Sequence, residues 1–473
     1  MAAAMEEKHG VLATGEAKLL KITSLIKRLR TDLSEKTLSS SERKVILEQL
    51  KVYGRDPNNA DPIFAKAGIE TLAGQALDRD LSDASREALR CLANALFLRE
   101  QTRQILVDLG YAGKAAQRLK IDNRDDEFLV SRILFLMTYN TDVDFNQLGR
   151  EHQIAESINQ NIARHSKRYS KHCHRPSSPS PLDEMALVET LKLLFNITHY
   201  YPALVDSFTE SVPHILKILS RMTVPHPPLQ SPVNYLINAL MNLDLGNQKI
   251  TSNPIFPDFD SNYNVECLVN ILDRATTEYE EAKLDQTAAP LLTLVRRVYE
   301  IAPETVQKHT RSLLLPTEND RSKPLGKSDT LPSRLLRLST SPLLPTLRDS
   351  ISSLMFELSD KDPTKFVQNI GYGFAAGFLI SHNIQVPQTT LERSGTSRSK
   401  NGGSSENDVF NPITGQRLDT ESIDTSPEMT EAEKEREAEK LFVLFERLKA
   451  TGVIDVKNPV EQAIDDGRFE ELD

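Results

Sequence analysis

The chain has 473 residues, with 57 Lys and Arg against 67 Asp and Glu; the resulting net charge of −10 makes a general nucleic-acid binder a poor fit. Trp is absent, aromatic residues are 6%, and Gly is low at 19 beside 25 Pro, which disfavours β-sandwiches and barrels and favours helices. At roughly 150 residues per domain the length would make about three domains, a prior that does not hold for repeat proteins.

The first residues, Met1 to Gly10, are polar and have no apolar core, so no signal peptide is expected. No run of 18 or more apolar residues occurs, and no membrane-spanning helix is expected. Lys18, Lys21, Lys27, Arg28 and Arg30 then interleave with Leu19, Leu20, Ile22, Leu25, Ile26 and Leu29. This reads as an amphipathic helix, and a capping role at the end of a repeat array explains it without any binding role.

Self-similarity dominates the chain from there on. Leu89-Arg-Cys-Leu-Ala-Asn94 and Leu191-Lys-Leu-Leu-Phe-Asn196 share one frame, apolar-x-x-apolar-x-Asn, and Tyr235-Leu-Ile-Asn-Ala-Leu-Met-Asn242 fits it too. Weaker echoes place equivalent positions at Tyr139, Glu300 and Glu357, giving steps of 45, 57, 46, 58 and 57 residues. The shorter steps match the roughly 40–47-residue period of armadillo and HEAT units. Each such unit packs two or three helices and buries its apolar face only by stacking on neighbours; the last helix of each lines a shared concave surface. Asn94, Asn196 and Asn242 would then form a polar ladder along that groove, or else bond their neighbours' backbone.

Segments 166–181, 224–232 and 316–332 are rich in Ser, Pro or other polar residues and read as loops between repeats. The expected organisation is an all-α armadillo/HEAT-like solenoid over 1–387, a disordered linker over 388–428 rich in Ser, Thr, Gly and Asn, and a helical segment over 429–473. That last segment opens with a capping box, Thr430 with Glu433. It carries an apolar stripe, Leu441, Phe442, Leu444, Phe445 and Leu448, and stops at Gly452. A short second helix starts at Pro459 and ends at Gly467.

Three cysteines, Cys91, Cys173 and Cys267, fit a reduced compartment with no disulfide framework, so a cytoplasmic protein is expected. Gly371-Tyr-Gly-Phe-Ala-Ala-Gly377 has a glycine-rich look, but no strand precedes it and no Lys-Ser/Thr follows. It reads as a tight turn leading into a packed helix, not a phosphate cradle. His165, His172, Cys173 and His174 sit among Arg164, Lys167, Arg168, Lys171 and Arg175, which reads as a solvated basic loop and not a metal site. Such a loop could still touch an acidic partner or a membrane surface. No Ser/His/Asp set, catalytic carboxylate pair or H-E-x-x-H motif is present, so no enzyme and no cofactor are expected. Armadillo carriers that read basic peptides use Trp-Asn ladders; with Asn but no Trp, that cargo is disfavoured here.

Several motifs resemble the synembryn family of G-protein α-subunit exchange factors and chaperones. Tyr53-Gly-Arg-Asp56 is similar to the family's first-repeat segment, with Lys51 and Arg55 at two basic positions four apart. The repeat helices around Asn94 and Asn196 follow, then Ala289-Pro290-Leu-Leu, then Leu335 to Leu338. The most specific pieces are Gly371 to Gly377, Asn411-Pro-Ile-Thr-Gly415, and the stretch from Met429 to Ala438.

The resemblance implies a superhelix that grips the C-terminal helix of Gα in its groove, while the C-terminal segment contacts the nucleotide-binding domain. It further implies GDP release, a nucleotide-free complex that persists until GTP binds, and a monomer reaching the membrane periphery or cell cortex through Gα. Arg55 and Asn94 are the groove candidates by motif match, with Lys51, Asn196, Asn242, Arg334 and Arg337 beside them. Arg would give charge-assisted bonds to the carboxylates of a Gα tail and Asn would bond its backbone, the alternatives being a surface Arg and a core Asn. Animal members carry a strongly acidic patch before the Asn-Pro-x-Thr-Gly motif; here residues 394–408 are basic first and only mildly acidic later. Ser405 heads an S-x-x-D sequence there and is a candidate phosphosite.

Overall fold

The structure, a computed structural model, describes residues 12–169, 180–246, 253–385, 410–411, 413–420 and 436. The chain divides into two compact units, Met1–Asp419 and Thr420–Asp473, and nearly all the described residues belong to the first. The C-terminal segment expected at 429–473, apart from Arg436, lies outside the described residues, as do Ser405, Cys173, His172 and His174.

The first unit opens with α1 (Gly15–Glu35), α2 (Ser40–Tyr53), the short α3 (Asp61–Phe64), α4 (Lys66–Leu77), α5 (Asp83–Leu98), α6 (Gln101–Asp108) and α7 (Ala112–Arg118). Next come α8 (Arg124–Met137), α9 (Phe145–His152), α10 (Ile154–Lys167), α11 (Pro181–Tyr200), α12 (Ser211–Arg221) and α13 (Val233–Asn242). The last group is α14 (Tyr263–Glu278), α15 (Glu281–Thr287), α16 (Ala289–Glu300), α17 (Glu304–Leu314), α18 (Leu331–Ser339), α19 (Pro345–Leu358), α20 (Pro363–Ile370) and α21 (Tyr372–Ser381). Among the described residues the only strand-like pairing is one isolated antiparallel bridge, Phe410 with Arg417, and no helix is long and apolar enough to cross a membrane.

Local sequence sets where these helices begin. Ser39 and Glu42 close a reciprocal capping box at α2, and Ser180 with Asp183 closes another at α11, where Pro181 fills the first helical position. Asn123, Asp144 and Asp362 each accept two backbone N–H groups at the starts of α8, α9 and α20.

The helices stack in two ladders. One runs α2, α5, α8, α11, α13, α16, α19; the other runs α1, α4, α7, α9, α10, α12, α14, α18. Apolar residues fill the space between rungs: Leu129, Ile133, Leu134 and Met137 of α8 and Leu187, Leu191, Leu194 and Ile197 of α11 are all buried. The recurring positions spaced 45 to 58 residues apart all fall at the C-terminal ends of the first-ladder helices or just beyond them. The all-α solenoid expected from the repeat is the fold observed.

Part of the expected linker is packed. Asn411 turns the backbone by accepting the amides of Ile413 and Thr414 on its side chain. The turn lies over the glycines of α21. Gly371 has φ +79°, and a Cβ there would come within 2.8 Å of the Ile413 carbonyl, so only glycine fits this approach. The Gly373 amide donates to that same carbonyl at 3.1 Å, and the Leu325 amide donates to the Thr414 carbonyl at 3.1 Å. Glycines that looked like a phosphate loop therefore form a turn into a packed helix and a seat for the Asn411–Gly415 turn.

Candidate functional site

The C-terminal ends of neighbouring first-ladder helices lie side by side, as the Asn196–Thr138 and Asn242–Phe195 bonds show, and five of the seven candidate residues sit on these helices or just past the end of α2. Lys51, near the end of α2, is already engaged: its Nζ donates to Glu87 of α5 at 2.6 Å. Glu87 also accepts from Arg90 at 2.8 Å, and Arg90 reaches on to Asp125 of α8. A half-buried ion network thus spans three consecutive rungs. Beside it, burial first and Glu87 second push the Cys91 thiol up to about 12, so it stays protonated at neutral pH.

Arg55, just past the α2 C-cap, is exposed and its guanidinium has no hydrogen bond or ion pair among the described residues. Asn94 of α5 is half-buried, and its amide likewise has no partner among them. The other two asparagines differ. Asn196 of α11 is buried and donates to the Thr138 hydroxyl at 2.7 Å. Asn242 of α13 donates to the Phe195 carbonyl at 3.2 Å. Both stitch one rung to the one before it.

The structure does not bring Arg334 and Arg337 to these five. Both lie on α18, in the second ladder. Arg334 is buried, pairs with Asp273 of α14, and donates from Nε to the Thr276 hydroxyl at 3.1 Å. Arg337 donates to the Gly326 and Ser328 carbonyls at 2.9 and 2.7 Å. Their charges hold α14 and the 326–329 loop in place.

The sequence motifs gave no notice of the aromatic residues on the first-ladder face. Phe97, one turn beyond Asn94, is 70% exposed. On the next rungs Phe135 meets Tyr139 edge-on at 5.2 Å, and Tyr139 meets Tyr200 at 6.4 Å. The Lys192 ammonium lies 4.4 Å from the Phe135 ring centre. Their signal in the sequence was position: Phe97 follows Asn94 by three residues and Tyr200 follows Asn196 by four, so each stays on the asparagine's side of its helix. Of the basic cluster around His165, three described members are tied down, His165 to Glu127 at 2.9 Å, Arg168 to Asp183 at 2.7 Å and Arg164 to Asp122, while Lys167 is exposed.

Fold and site together define an α-helical repeat protein whose first ladder carries, among the described residues, unpartnered polar groups near exposed aromatic rings, the surface chemistry of polypeptide binding. The profile of the family described as guanine nucleotide exchange factor synembryn matches residues 46–468. The chain belongs to the synembryn family. It is 28% identical over 310 residues to a synembryn-like chaperone of Schizosaccharomyces pombe, covering 62% of this chain and 57% of that protein. It is 26% identical over 477 residues to chaperone Ric-8A of Xenopus tropicalis, covering 92% and 86%, and 26% identical over 463 residues to chaperone Ric-8A of Macaca fascicularis, covering 90% and 84%.

Proposed function

We propose that this protein is a guanine nucleotide exchange factor and folding chaperone for G-protein α subunits, acting as a monomer in the cytoplasm and at the membrane periphery. The observation that carries the reading is the family match over residues 46–468. In this reading the C-terminal helix of Gα lies across Arg55, Asn94 and Phe97, its carboxylates toward Arg55 and its apolar side on the aromatic rings. A helix held there no longer supports the guanine site, and GDP leaves. Thermodynamically, the factor binds empty Gα more tightly than loaded Gα, and by linkage GTP then weakens the complex by the same factor. Differential binding alone does this; no side chain need transfer a proton or group.

The test is GDP release from purified Gα with and without the protein, followed by gel filtration with and without a non-hydrolysable GTP analogue. Faster release and a complex that the analogue dissolves support the proposal. Binding indifferent to nucleotide would make the protein an armadillo-type scaffold or transport adaptor. Absence of both binding and release overturns the proposal.

A further inference from the structure

Helix α1 stands at the start of the second ladder, and its two faces are treated differently. On the buried side Ile22, Leu25, Ile26 and Leu29 pack into the core, and even the cation there is used: Lys18 is buried and donates to the Asp56 and Asn58 carbonyls at 2.8 and 2.7 Å. On the outer side Lys21, Lys27, Arg28 and Arg30 are exposed, and none makes a hydrogen bond or ion pair among the described residues. No exposed carboxylate of α1 lies between Glu16 and Glu35, since Asp32 is buried against Arg79. Facing groups on neighbouring elements are few. Glu42 of α2 feels Arg28 but is held by Ser39. Across a surface cavity of about 720 Å³ lined by Lys27, Arg30 and Lys36 stand Glu70 and Asp78, and Asp78 accepts from Tyr111 and Lys114.

In a chain of net charge −10, four exposed cations within ten residues, without an ion pair among the described residues, are a local departure from the average surface. They span about 13 Å along the helix axis, more than one carboxylate or phosphate can cover. Leu20, among them, is 65% exposed. A sheet of many anionic groups with an apolar boundary just beneath matches this pattern of spread cations around a leucine. We propose that the outer face of α1 docks on an anionic phospholipid surface, and that this contact is made by the chain itself, without a lipidated partner.

The experiment is co-sedimentation of the full chain alone with phosphatidylcholine vesicles, with and without phosphatidylserine. Binding to the anionic vesicles only, falling steeply with added salt, is expected. Each exposed cation near an anionic surface multiplies partitioning by roughly fivefold, so the quadruple variant Lys21→Glu, Lys27→Glu, Arg28→Glu, Arg30→Glu loses at least about 100-fold. A second quadruple variant with Gln at the four positions keeps the helix and shows the same direction of loss if the first unfolds. No binding to anionic vesicles, equal binding to neutral ones, or full binding by the Gln variant overturns the proposal; so does capture of polyglutamate without vesicle binding, which makes the face a protein-docking surface.

Discussion

The Arg321 guanidinium donates from Nη1 to the Gly415 carbonyl at 3.0 Å, closing a contact between residues 94 apart. Its Nη2 donates to the Asn369 carbonyl at 2.8 Å and the Gln368 carbonyl at 3.2 Å, capping the last turn of α20, and its charge lies 4.5 Å from the Phe410 ring centre. One buried cation thus holds a helix end and the Asn411–Gly415 turn together.

Arg321→Ala therefore leaves three carbonyls without their charged donor and should cost about 3 kcal/mol locally. The readout is hydrogen exchange: the Gly373, Leu325 and Arg417 amides, whose acceptors are Ile413, Thr414 and Arg321, should exchange about 100-fold faster. Unchanged protection would mean the turn is held by its backbone alone.

Arg55→Glu should leave thermal unfolding within about 0.5 kcal/mol of the parent, because the exposed side chain has no partner among the described residues to lose. Gα binding should fall more than tenfold by titration calorimetry, since attraction to an acidic tail becomes repulsion. A large drop in melting temperature would assign Arg55 a structural role instead.

Asn94→Ala and Asn196→Ala form a contrasting pair. Asn196 donates to Thr138, so its loss should destabilise by about 1–2 kcal/mol in urea unfolding. Asn94 has nothing to leave unpaired among the described residues, so Asn94→Ala should keep stability and weaken Gα binding. Equal stability losses for the two would remove Asn94 from the binding face.

Phe97→Ala exposes the same logic for apolar contact. A side chain already 70% exposed contributes little to the core, so stability should change by less than about 1 kcal/mol, while a binding anchor would lose about 2 kcal/mol of Gα affinity.

Asp320 sets an acid dependence. Burial pushes its carboxyl up, but hydrogen bonds from Thr330, Thr317 and Ser328 overcome this and hold it below its ordinary 3.8. A depressed folded value means the stabilisation is fully present above 3.8 and is lost as pH falls through the still lower folded value. Asp320→Asn should lower stability at neutral pH by about 1–3 kcal/mol and shallow the acid limb of a stability-versus-pH curve. An acid limb identical to the parent's would show the network does not discriminate the charged form.

The repeat and its helices were legible in the sequence because they rest on short-range regularities. Apolar residues at helical spacing mark a buried stripe, caps such as Ser39 and Ser180 mark starts, and the frame around Asn94, Asn196 and Asn242 marks equivalent rungs. Which of the three asparagines stays open is not a short-range matter. Asn196 meets Thr138 only because α8 and α11 are neighbours in the ladder, while the same residue type at Asn94 finds no acceptor among the described residues.

By itself, then, the sequence determined the helices, their period and the short motifs that carry the family resemblance, since each is set within a turn or two of chain. Tertiary structure alone decided which charges are committed and which are available. Arg334 is committed to Asp273, 61 residues away, and Arg321 to Gly415, because burying a guanidinium demands acceptors that only stacking supplies. Arg55, Lys27 and Arg28 carry the same charge and remain in water, because no packed element among the described residues offers them a hydrogen bond or ion pair.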